Sequence, residues 1–351
     1  VHEVREALLE RHFDVLRERC RSRFDHGCPV MHGNRPDSEM AEGQVWEALQ
    51  LASHYKLNNL VGFLDVNRLG QRGATMLEWH LQTYKERIAS FGWNTIVIEN
   101  GNDMDEVQKA LEELQSLDSN KPTMVIAKTK KGAGISSIAD TDGWHGKPLT
   151  KEMLEAALIE IGKVDTGILG TVALPEEIDI PIYEATGSTL PIPNNLPSKM
   201  ATREAYGEAL KLISHDSSVV VLDAETSNST YSEKMKEVAP ERFFEMYIAE
   251  QNMISTAVGM SKIGLIPFAS SFAAFLTRSF DQIRMAQYSD ANIKIVGSHA
   301  GVSIGVDGSS QMALEDIAMM RSILDSVVLY PSDGVSTFKL VDQMRKHQGI
   351  S

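Results

Sequence analysis

The sequence predicts an α/β protein in which two parallel-sheet layers are joined by a linker. Short apolar runs alternate with stretches of helical spacing along residues 37–150, and the same alternation returns along residues 199–351. Strands that alternate with helical crossovers are typical of parallel sheets. Between the two halves, residues 151–198 include a proline-rich stretch, which favours an extended linker. A hydrophobic share of 42% is ordinary for a globular protein.

The first half predicts three strands and three helices. Apolar runs such as LVGFLDV indicate buried strands, and longer periodic stretches indicate helices. The predicted strands are 60–66, 94–99 and 122–129, and the predicted helices are 41–56, 81–91 and 104–117. In parallel sheets of this kind, ligands bind beyond the carboxyl ends of the strands.

The second half repeats this pattern after one more helix, over 149–165, and the linker. Its predicted strands are 219–224, 266–271, 292–299 and 326–331, and its predicted helices are 202–212, 252–264, 272–288 and 312–323.

The segment 1–36 differs from the rest, because it holds seven arginines, both cysteines and no lysine. Its first part could form an amphipathic helix, and its end, CPVMHGNRP, breaks regular structure. One interpretation is a solvated helical extension, and the other is a segment of different origin; composition does not choose between them. Cys20 and Cys28 have neither the spacing of a zinc site nor that of a disulfide framework.

The net charge of −14 argues against a nucleic-acid partner, since such partners require basic patches. No apolar run is long enough to span a bilayer, and the first residues do not have the pattern of a secretory signal. The sequence therefore predicts a cytoplasmic protein without a membrane partner.

Two oxygen-bearing side chains, Asp37 and Asn67, stand at the ends of neighbouring predicted elements. Carboxylate and amide oxygens are ligands that Mg²⁺ prefers. On spacing alone, a helix cap for Asp37 and a turn residue for Asn67 are the stronger interpretation.

A longer series of ordered motifs makes the interpretation specific. The motifs are DSEMAEGQVWEAL with DVNRLGQ (37–71), AKTKKGAGI (127–135), GWHGKP (143–148), ATREAYGEAL (201–210), LDAETSNSTYS (222–232), IAEQNM (248–253), FASSFAAFLTRSFDQIRMA (268–286) and GSHAGVSIGVDGSSQMALEDIAMMRS (297–322). In this order they resemble the thiamine-diphosphate-dependent transketolase family over residues 37–351. Several ordered motifs are far more specific than a single glycine-rich loop.

The resemblance implies a cofactor site. Glu250 matches the acid that promotes the imino tautomer of the aminopyrimidine ring, although on its own a first-turn helix carboxylate is the stronger interpretation. His145 and His299 match histidines of the active site. The other implied cofactor contacts are Ser38, Asn67, Lys131, His145, Phe275 and Gln311. Without the motifs, such a histidine, phenylalanine or lysine would be read as an ordinary surface or core residue.

The resemblance also implies substrate and metal contacts. Arg203 and Ser229 match groups that hold a sugar phosphate, and Asp307 and His299 match groups that contact the sugar. The implied Mg²⁺ ligands are Asp37, Asn67 and the backbone carbonyl of Leu69.

The implied activity is transfer of a two-carbon ketol unit from a ketose phosphate to an aldose phosphate, as in the pentose phosphate pathway. The implied assembly is a homodimer in which two subunits share each cofactor. Alternatives are a related enzyme, such as dihydroxyacetone synthase or deoxyxylulose-phosphate synthase, and an inactive fragment. The implied domains are a partial diphosphate-binding domain (37–150), the linker (151–198) and a partial pyrimidine-binding domain (199–351), that is, two partial thiamine-diphosphate-binding layers.

The sequence departs from the family at its ends. Residues 1–36 carry none of the family's motifs, Pro36 stands in place of a glycine, and MHGN stands in place of an apolar strand. We therefore expect no strand before Asp37, and a chain that is truncated at both ends and has little or no turnover. Val306 and Ser309, which replace Glu and Pro of many relatives, are minor changes.

Overall fold

A computed structural model describes residues 33–163 and 199–351, together with residues 167 and 197. The helix predicted within 1–36, both cysteines and most of the predicted linker lie outside the described residues. The described residues fall into two compact units, 33–163 and 199–351, which we call the first and the second unit. Each unit is described by itself.

The first unit is built on a parallel sheet in the order β1-β2-β4-β3. The strands are β1 (Gly33–Pro36), β2 (Val61–Val66), β3 (Asn94–Ile98) and β4 (Thr123–Lys128). The helices are α1 (Gly43–His54), α2 (Leu81–Ser90), α3 (Met104–Ser116) and α4 (Lys151–Ile161). Val61, Ile96 and Val125 pack in the core with Ala110 of α3. The three strands and three helices predicted over 41–129 are confirmed, with ends that differ by one or two residues.

The expectation that no strand leads to Asp37 is wrong for residues 33–36. β1 pairs in parallel with β2, with Pro36 opposite Asp65, and the amide of Asp37 continues the ladder to the carbonyl of Asp65 at 3.0 Å. In the described part of the chain β1 lies at the edge of the sheet, a position where the missing N–H of a proline is tolerated.

The second unit contains a second parallel sheet, in the order β6-β5-β7-β8. Its strands are β5 (Val219–Asp223), β6 (Phe243–Glu245), β7 (Ile266–Phe272) and β8 (Lys294–Ser298). Its helices are α5 (Thr202–Ile213), α6 (Ser227–Thr230), α7 (Glu250–Ser261), α8 (Phe280–Tyr288), α9 (Asp316–Arg321) and α10 (Gly334–Lys346). The predicted α/β class with parallel sheets is confirmed in both units.

Three predictions in the second unit are wrong in detail. The helix predicted over 272–288 begins only at Phe280, because Ala273 still pairs with Ser298 and a 3-10 turn (Phe275–Ser279) intervenes. The helix predicted over 312–323 is shorter, because the backbone of Ala313 pairs with Gly301. Residues 326–331 form no strand; the amide of Val327 donates to the carbonyl of Ile350 instead.

A buried ion cluster anchors α10, the last helix, in the second unit. The fully buried guanidinium of Arg345 contacts Asp216 at 2.7 Å and Asp342 at 3.0 Å. Phe338 and Val341 of the same helix pack against Ala205 and Leu210 of α5 in the core. In the described ranges, no helix has the length and apolar character needed to cross a bilayer.

Candidate functional site

In the first unit, the predicted metal ligands lie at the carboxyl ends of two adjacent strands. Asp37 directly follows β1 and Asn67 directly follows β2, and both side chains are buried. The parallel pairing of β1 with β2 therefore brings these two residues to one edge of the sheet.

The carboxylate of Asp37 is half satisfied. The hydroxyl of Thr75 donates to Oδ2, whereas Oδ1 is buried and has no hydrogen-bond partner among the described residues. Burial raises the pKa of Asp37 above its ordinary value, and the hydrogen bond from Thr75 opposes this effect. A buried carboxylate oxygen without a partner is costly, and a bound cation would remove that cost.

Asn67 is held by its neighbours. Its amide nitrogen donates to Asp65 at 3.1 Å, and its amide oxygen accepts from the backbone N–H of Leu69 at 3.1 Å. Asp65 also accepts from the hydroxyl of Thr129, which follows β4. These contacts fix the orientation of the Asn67 amide at the same sheet edge.

The backbone carbonyl of Leu69 contacts a positively charged side chain, that of Lys131. The ammonium of Lys131 donates to this carbonyl at 3.3 Å and lies 3.1 Å from Nδ1 of His145. The structure thus brings Leu69, Lys131 and His145 together. Ser38 follows Asp37, is exposed and precedes a 3-10 turn (Glu39–Ala41).

Oxygen ligands in this arrangement suit a hard cation. Among residues 33–163 and 199–351, no three His, Cys, Asp or Glu side chains cluster as a metal site. A metal at Asp37 would therefore be held by one carboxylate, an amide and a backbone carbonyl. The remaining coordination positions of the metal would be filled by oxygens of a bound small molecule. Mg²⁺ accepts such a mixed set when a substrate phosphate completes it.

In the second unit, Glu250 is the first residue of α7 and is 3% exposed. One of its carboxylate oxygens accepts from the guanidinium of Arg278 at 3.0 Å, and the Arg278 side chain is 58% exposed. The position matches both earlier interpretations of Glu250, since a first-turn carboxylate is also favoured by the helix dipole. Its burial, however, is unusual for a carboxylate that only interacts with a helix end.

An aromatic row lies beside these groups. The rings of Phe272 and Phe275 stack at a centroid distance of 5.0 Å, and the ring of Phe272 lies 4.1 Å from that of His299. The guanidinium of Arg278 lies 5.8 Å from the ring of Phe275. Phe275 thus contacts Phe272 on one side and Arg278 on the other, and Phe272 contacts the catalytic candidate His299. Flat apolar rings of this kind can pack against another aromatic ring.

Four predicted substrate residues line one pocket of about 690 Å³ in the second unit: Arg203, Ser229, His299 and Asp307. The guanidinium of Arg203 donates to the backbone carbonyl of Ser229 at 3.1 Å and lies 3.4 Å from Nε2 of His299. Ser229 thus contacts Arg203 through its backbone carbonyl, whereas the sequence motifs do not indicate which atoms of Ser229 take part. Gln311 lies in a separate short 3-10 turn (Ser309–Gln311), close in sequence to Asp307.

The electrostatics of this pocket favour the neutral form of His299. Burial, followed by the nearby charge of Arg203, lowers the pKa of His299, whereas Asp307 opposes the shift. The backbone of His299 has a positive φ of 56°, a conformation that non-glycine residues adopt rarely. A neutral imidazole next to a guanidinium can accept or relay a proton.

Sequence reasoning missed several residues of these sites. Phe272 and Arg278 lie inside a motif that had been singled out, but only the structure shows that they contact His299 and Glu250. Thr75 carries no pattern of its own, and its role appears only through its hydrogen bond to Asp37. Asp223, a buried carboxylate at the end of β5, was not identified either.

Comparison with known families assigns both units. The sequence profile of "Transketolase, thiamine diphosphate binding domain" matches residues 6–169, and that of "Transketolase, pyrimidine binding domain" matches residues 198–350. The first match thus extends into the segment 1–36, which had been set apart on composition and motifs.

Individual proteins agree with the family profiles. The chain is 47% identical to human transketolase over 321 residues, which are 90% of the chain and 50% of that protein. It is 50% identical to mouse transketolase-like protein 2 over 307 residues, which are 86% of the chain and 48% of that protein. The chain spans about half the length of the curated relatives that it matches. A crystal structure of transketolase from Campylobacter jejuni superposes with a TM-score of 0.84 at 20% identity, covering 99% of the chain and 60% of that structure, and supports the fold alone.

Proposed function

The chain belongs to the transketolase family, and from this premise we propose that it serves the transfer of a two-carbon ketol unit between a ketose phosphate and an aldose phosphate. The observation that carries the proposal is the pocket of the second unit, where Arg203, Ser229, His299 and Asp307 converge. A cation, a neutral imidazole and a carboxylate in one pocket suit a ligand that has both a phosphate and hydroxyl groups.

The residues of the first unit fit the diphosphate end of the cofactor. The free Oδ1 of Asp37, the amide of Asn67 and the carbonyl of Leu69 would hold Mg²⁺. Lys131 and His145, which already contact each other, would face the negative charge, and Ser38 would lie beside it. In this arrangement the ammonium of Lys131 would donate to an anionic oxygen of the diphosphate in place of the Leu69 carbonyl.

The residues of the second unit fit the aminopyrimidine end. Phe275 would pack against the ring, with Gln311 nearby, and the buried carboxyl of Glu250 would exchange a proton with a ring nitrogen. Thiamine diphosphate supplies the nucleophilic carbon and the electron sink when it is bound. The protein contributes position, charge and proton transfer.

In the sugar pocket, Arg203 would bind the phosphate and Asp307 a hydroxyl group. His299, whose pKa is lowered by burial and by Arg203, would accept a proton from a sugar hydroxyl and return it. The resemblance implies the same kind of proton transfer for His145. The proposal includes a homodimer, because the resemblance implies that two subunits share each cofactor. It also includes the cytoplasmic location that the sequence predicts.

Arg203→Ala tests the proposal directly. A charge-assisted hydrogen bond is worth roughly 1.5–3 kcal/mol, so the variant should bind ribose 5-phosphate at least about tenfold more weakly and unphosphorylated ribose almost as before. Arg284→Ala is the matched control, since Arg284 is an exposed arginine paired with Asp281 and lies outside the pocket. An equal loss for both sugars would assign Arg203 to structure.

A ketol-transfer assay separates the alternatives. The purified chain is supplied with thiamine diphosphate, Mg²⁺, xylulose 5-phosphate and ribose 5-phosphate, and the products are identified by mass spectrometry. Products lengthened or shortened by two carbons support the proposal, whereas turnover with other products indicates a related thiamine-diphosphate enzyme. Cofactor and sugar-phosphate binding without turnover would indicate that this chain is an inactive binding module.

A further inference from the structure

Asp223 is a fully buried carboxylate (0% exposed) to which neither the motifs nor the proposed mechanism assign a role. It is the last residue of β5, which lies between β6 and β7 in the sheet of the second unit. No ion pair of the described residues includes it. Burying a carboxylate without a cationic partner costs stability. The hydrogen bonds of Asp223 are therefore the place to look for its role.

All four donors to this carboxylate come from one short segment. Oδ1 accepts from the backbone N–H of Thr226 at 2.6 Å and from its hydroxyl at 3.0 Å. Oδ2 accepts from the hydroxyl of Thr230 at 2.8 Å and from that of Ser232 at 2.7 Å. The two oxygens therefore bind the beginning and the end of residues 226–232, which we call the phosphate loop.

The phosphate loop carries the group that orients Arg203. Ser229 lies at its centre, and the backbone carbonyl of Ser229 accepts from the guanidinium of Arg203 at 3.1 Å. The same guanidinium lies 5.4 Å from the ring of Tyr231, a loop residue with a positive φ of 62°. Asp223 therefore binds the same segment that makes both of these contacts with Arg203.

The phosphate loop packs closely against the helix α5 at Gly207. A Cβ atom added to Gly207 of α5 would lie 2.6 Å from the backbone oxygen of Tyr231, so the loop rests directly on that helix. Burial raises the pKa of Asp223 to about 6, and the hydrogen bonds from Ser232, Thr230 and Thr226 oppose this effect. At about pH 7.5 the group is thus ionised and accepts from all four donors.

We propose that Asp223 is a positioning residue for sugar-phosphate recognition: its carboxylate fixes the phosphate loop so that Ser229 and Tyr231 hold the guanidinium of Arg203 toward the pocket. The inference rests on the proposed function of Arg203. It adds a residue outside the pocket, the buried Asp223, which sets the geometry of the pocket residues Arg203 and Ser229.

A matched pair of hydroxyl deletions tests this inference. Ser232→Ala removes one donor to Asp223, and Ser218→Ala removes an equally buried hydroxyl that donates to another buried carboxylate, Asp216, outside the pocket. Isothermal titration with ribose 5-phosphate at about pH 7.5 should show binding weakened about three- to tenfold by Ser232→Ala and changed less than about twofold by Ser218→Ala. Ribose without the phosphate should be bound similarly by both variants.

Substitutions of Asp223 itself complete the test. Asp223→Ala leaves four donors without an acceptor and should weaken ribose 5-phosphate binding by more than about tenfold. Asp223→Asn should recover part of this loss, because its amide can accept from Thr226 while the hydroxyls of Thr230 and Ser232 turn to accept from it. Hydrogen exchange at the amides of Ser229 and Thr230, which both donate to the carbonyl of Thr226, reports the loop without any ligand.

The possible failures are distinguishable. If Arg203→Ala weakens binding but Ser232→Ala and Ser218→Ala behave alike, in titration and in exchange at residues 229 and 230, the role of Asp223 is refuted and the proposed function stands. If the unsubstituted chain does not bind ribose 5-phosphate, both the proposed function and this inference are refuted. Faster exchange and weaker binding in Ser232→Ala alone is the result that we expect.

Discussion

Replacement of Arg345 by methionine should destabilise the second unit by several kilocalories per mole. The Arg345 side chain is fully buried and contacts Asp216 at 2.7 Å and Asp342 at 3.0 Å. Asp342 would keep Lys346 at 2.8 Å, and the Asp216 carboxylate would keep the hydrogen bonds from the backbone N–H and the hydroxyl of Ser218 but lose its contact with the guanidinium. Loss of one partner of a buried ion pair leaves an uncompensated charge, which typically costs about 3–5 kcal/mol.

The assay has to report on the second unit alone. All four tryptophans, Trp46, Trp79, Trp93 and Trp144, lie in the first unit, so none of them is a probe within the second unit. Native-state hydrogen exchange of the amides of α10 is such a probe, and in Arg345→Met their free energy of opening should fall by about 3–5 kcal/mol.

Lys346→Met is the matched control for this measurement. It removes a cation from the same Asp342, but the Lys346 side chain is 25% exposed, so the loss should stay below about 1 kcal/mol. Adding Asp216→Asn to Arg345→Met should recover part of the loss, because it removes the uncompensated charge. A loss below about 1 kcal/mol in Arg345→Met, or one equal to that of Lys346→Met, would refute the reasoning.

Three further outcomes are expected. Glu250→Gln should leave the fold intact and slow exchange of the cofactor's C2 proton into deuterium oxide by about 10²- to 10⁴-fold, and an unchanged rate would leave Glu250 as a helix-end carboxylate. Asp37→Asn should raise the Mg²⁺ concentration needed for cofactor binding by about tenfold or more in calorimetric titration, whereas Glu42→Gln, at an exposed carboxylate, should not. Burial lowers the pKa of Lys294 to about 7. Because the unfolded chain keeps this proton to higher pH, the free energy of unfolding should rise between about pH 7 and 9, by up to about 2–3 kcal/mol relative to Lys294→Met. A constant difference would mean that the three oxygens around the Lys294 ammonium, on Asn292, His347 and Gly349, keep it charged.

The regular elements were largely predictable, because apolar runs and helical spacing act locally. β2, β4 and β5 consist mainly of apolar residues, as buried parallel strands require. β6 was missed because its three residues, Phe243–Glu245, are too short to show a period. The helix α10 was missed although its start carries a signal: Asp333 accepts from the amide of Ser336, an N-cap that the residue types allow.

The candidate sites were predictable only in part. The motifs identified Arg203 and Ser229, but not that the contact between them uses the Ser229 backbone. Asp223 is separated from Ser232 by eight residues with no characteristic spacing, and its four hydrogen bonds arise only when β5 and the following turn fold together. Contacts of this kind depend on tertiary geometry, which a pattern of residue types does not contain.

The edge position of β1 links the docking of that strand to the binding of ligands at Asp37. β1 is four residues long and, among the residues that the structure describes, pairs with β2 alone, so its opening breaks a single ladder there. A ligand that binds Asp37 only while β1 is docked adds its own free energy to docking, about 2.7 kcal/mol at a concentration one hundred times its dissociation constant. Cofactor concentration would then set how often the amides between residues 33 and 37 exchange with solvent, and a cell poor in thiamine diphosphate would hold a larger share of these molecules with that edge open to proteases.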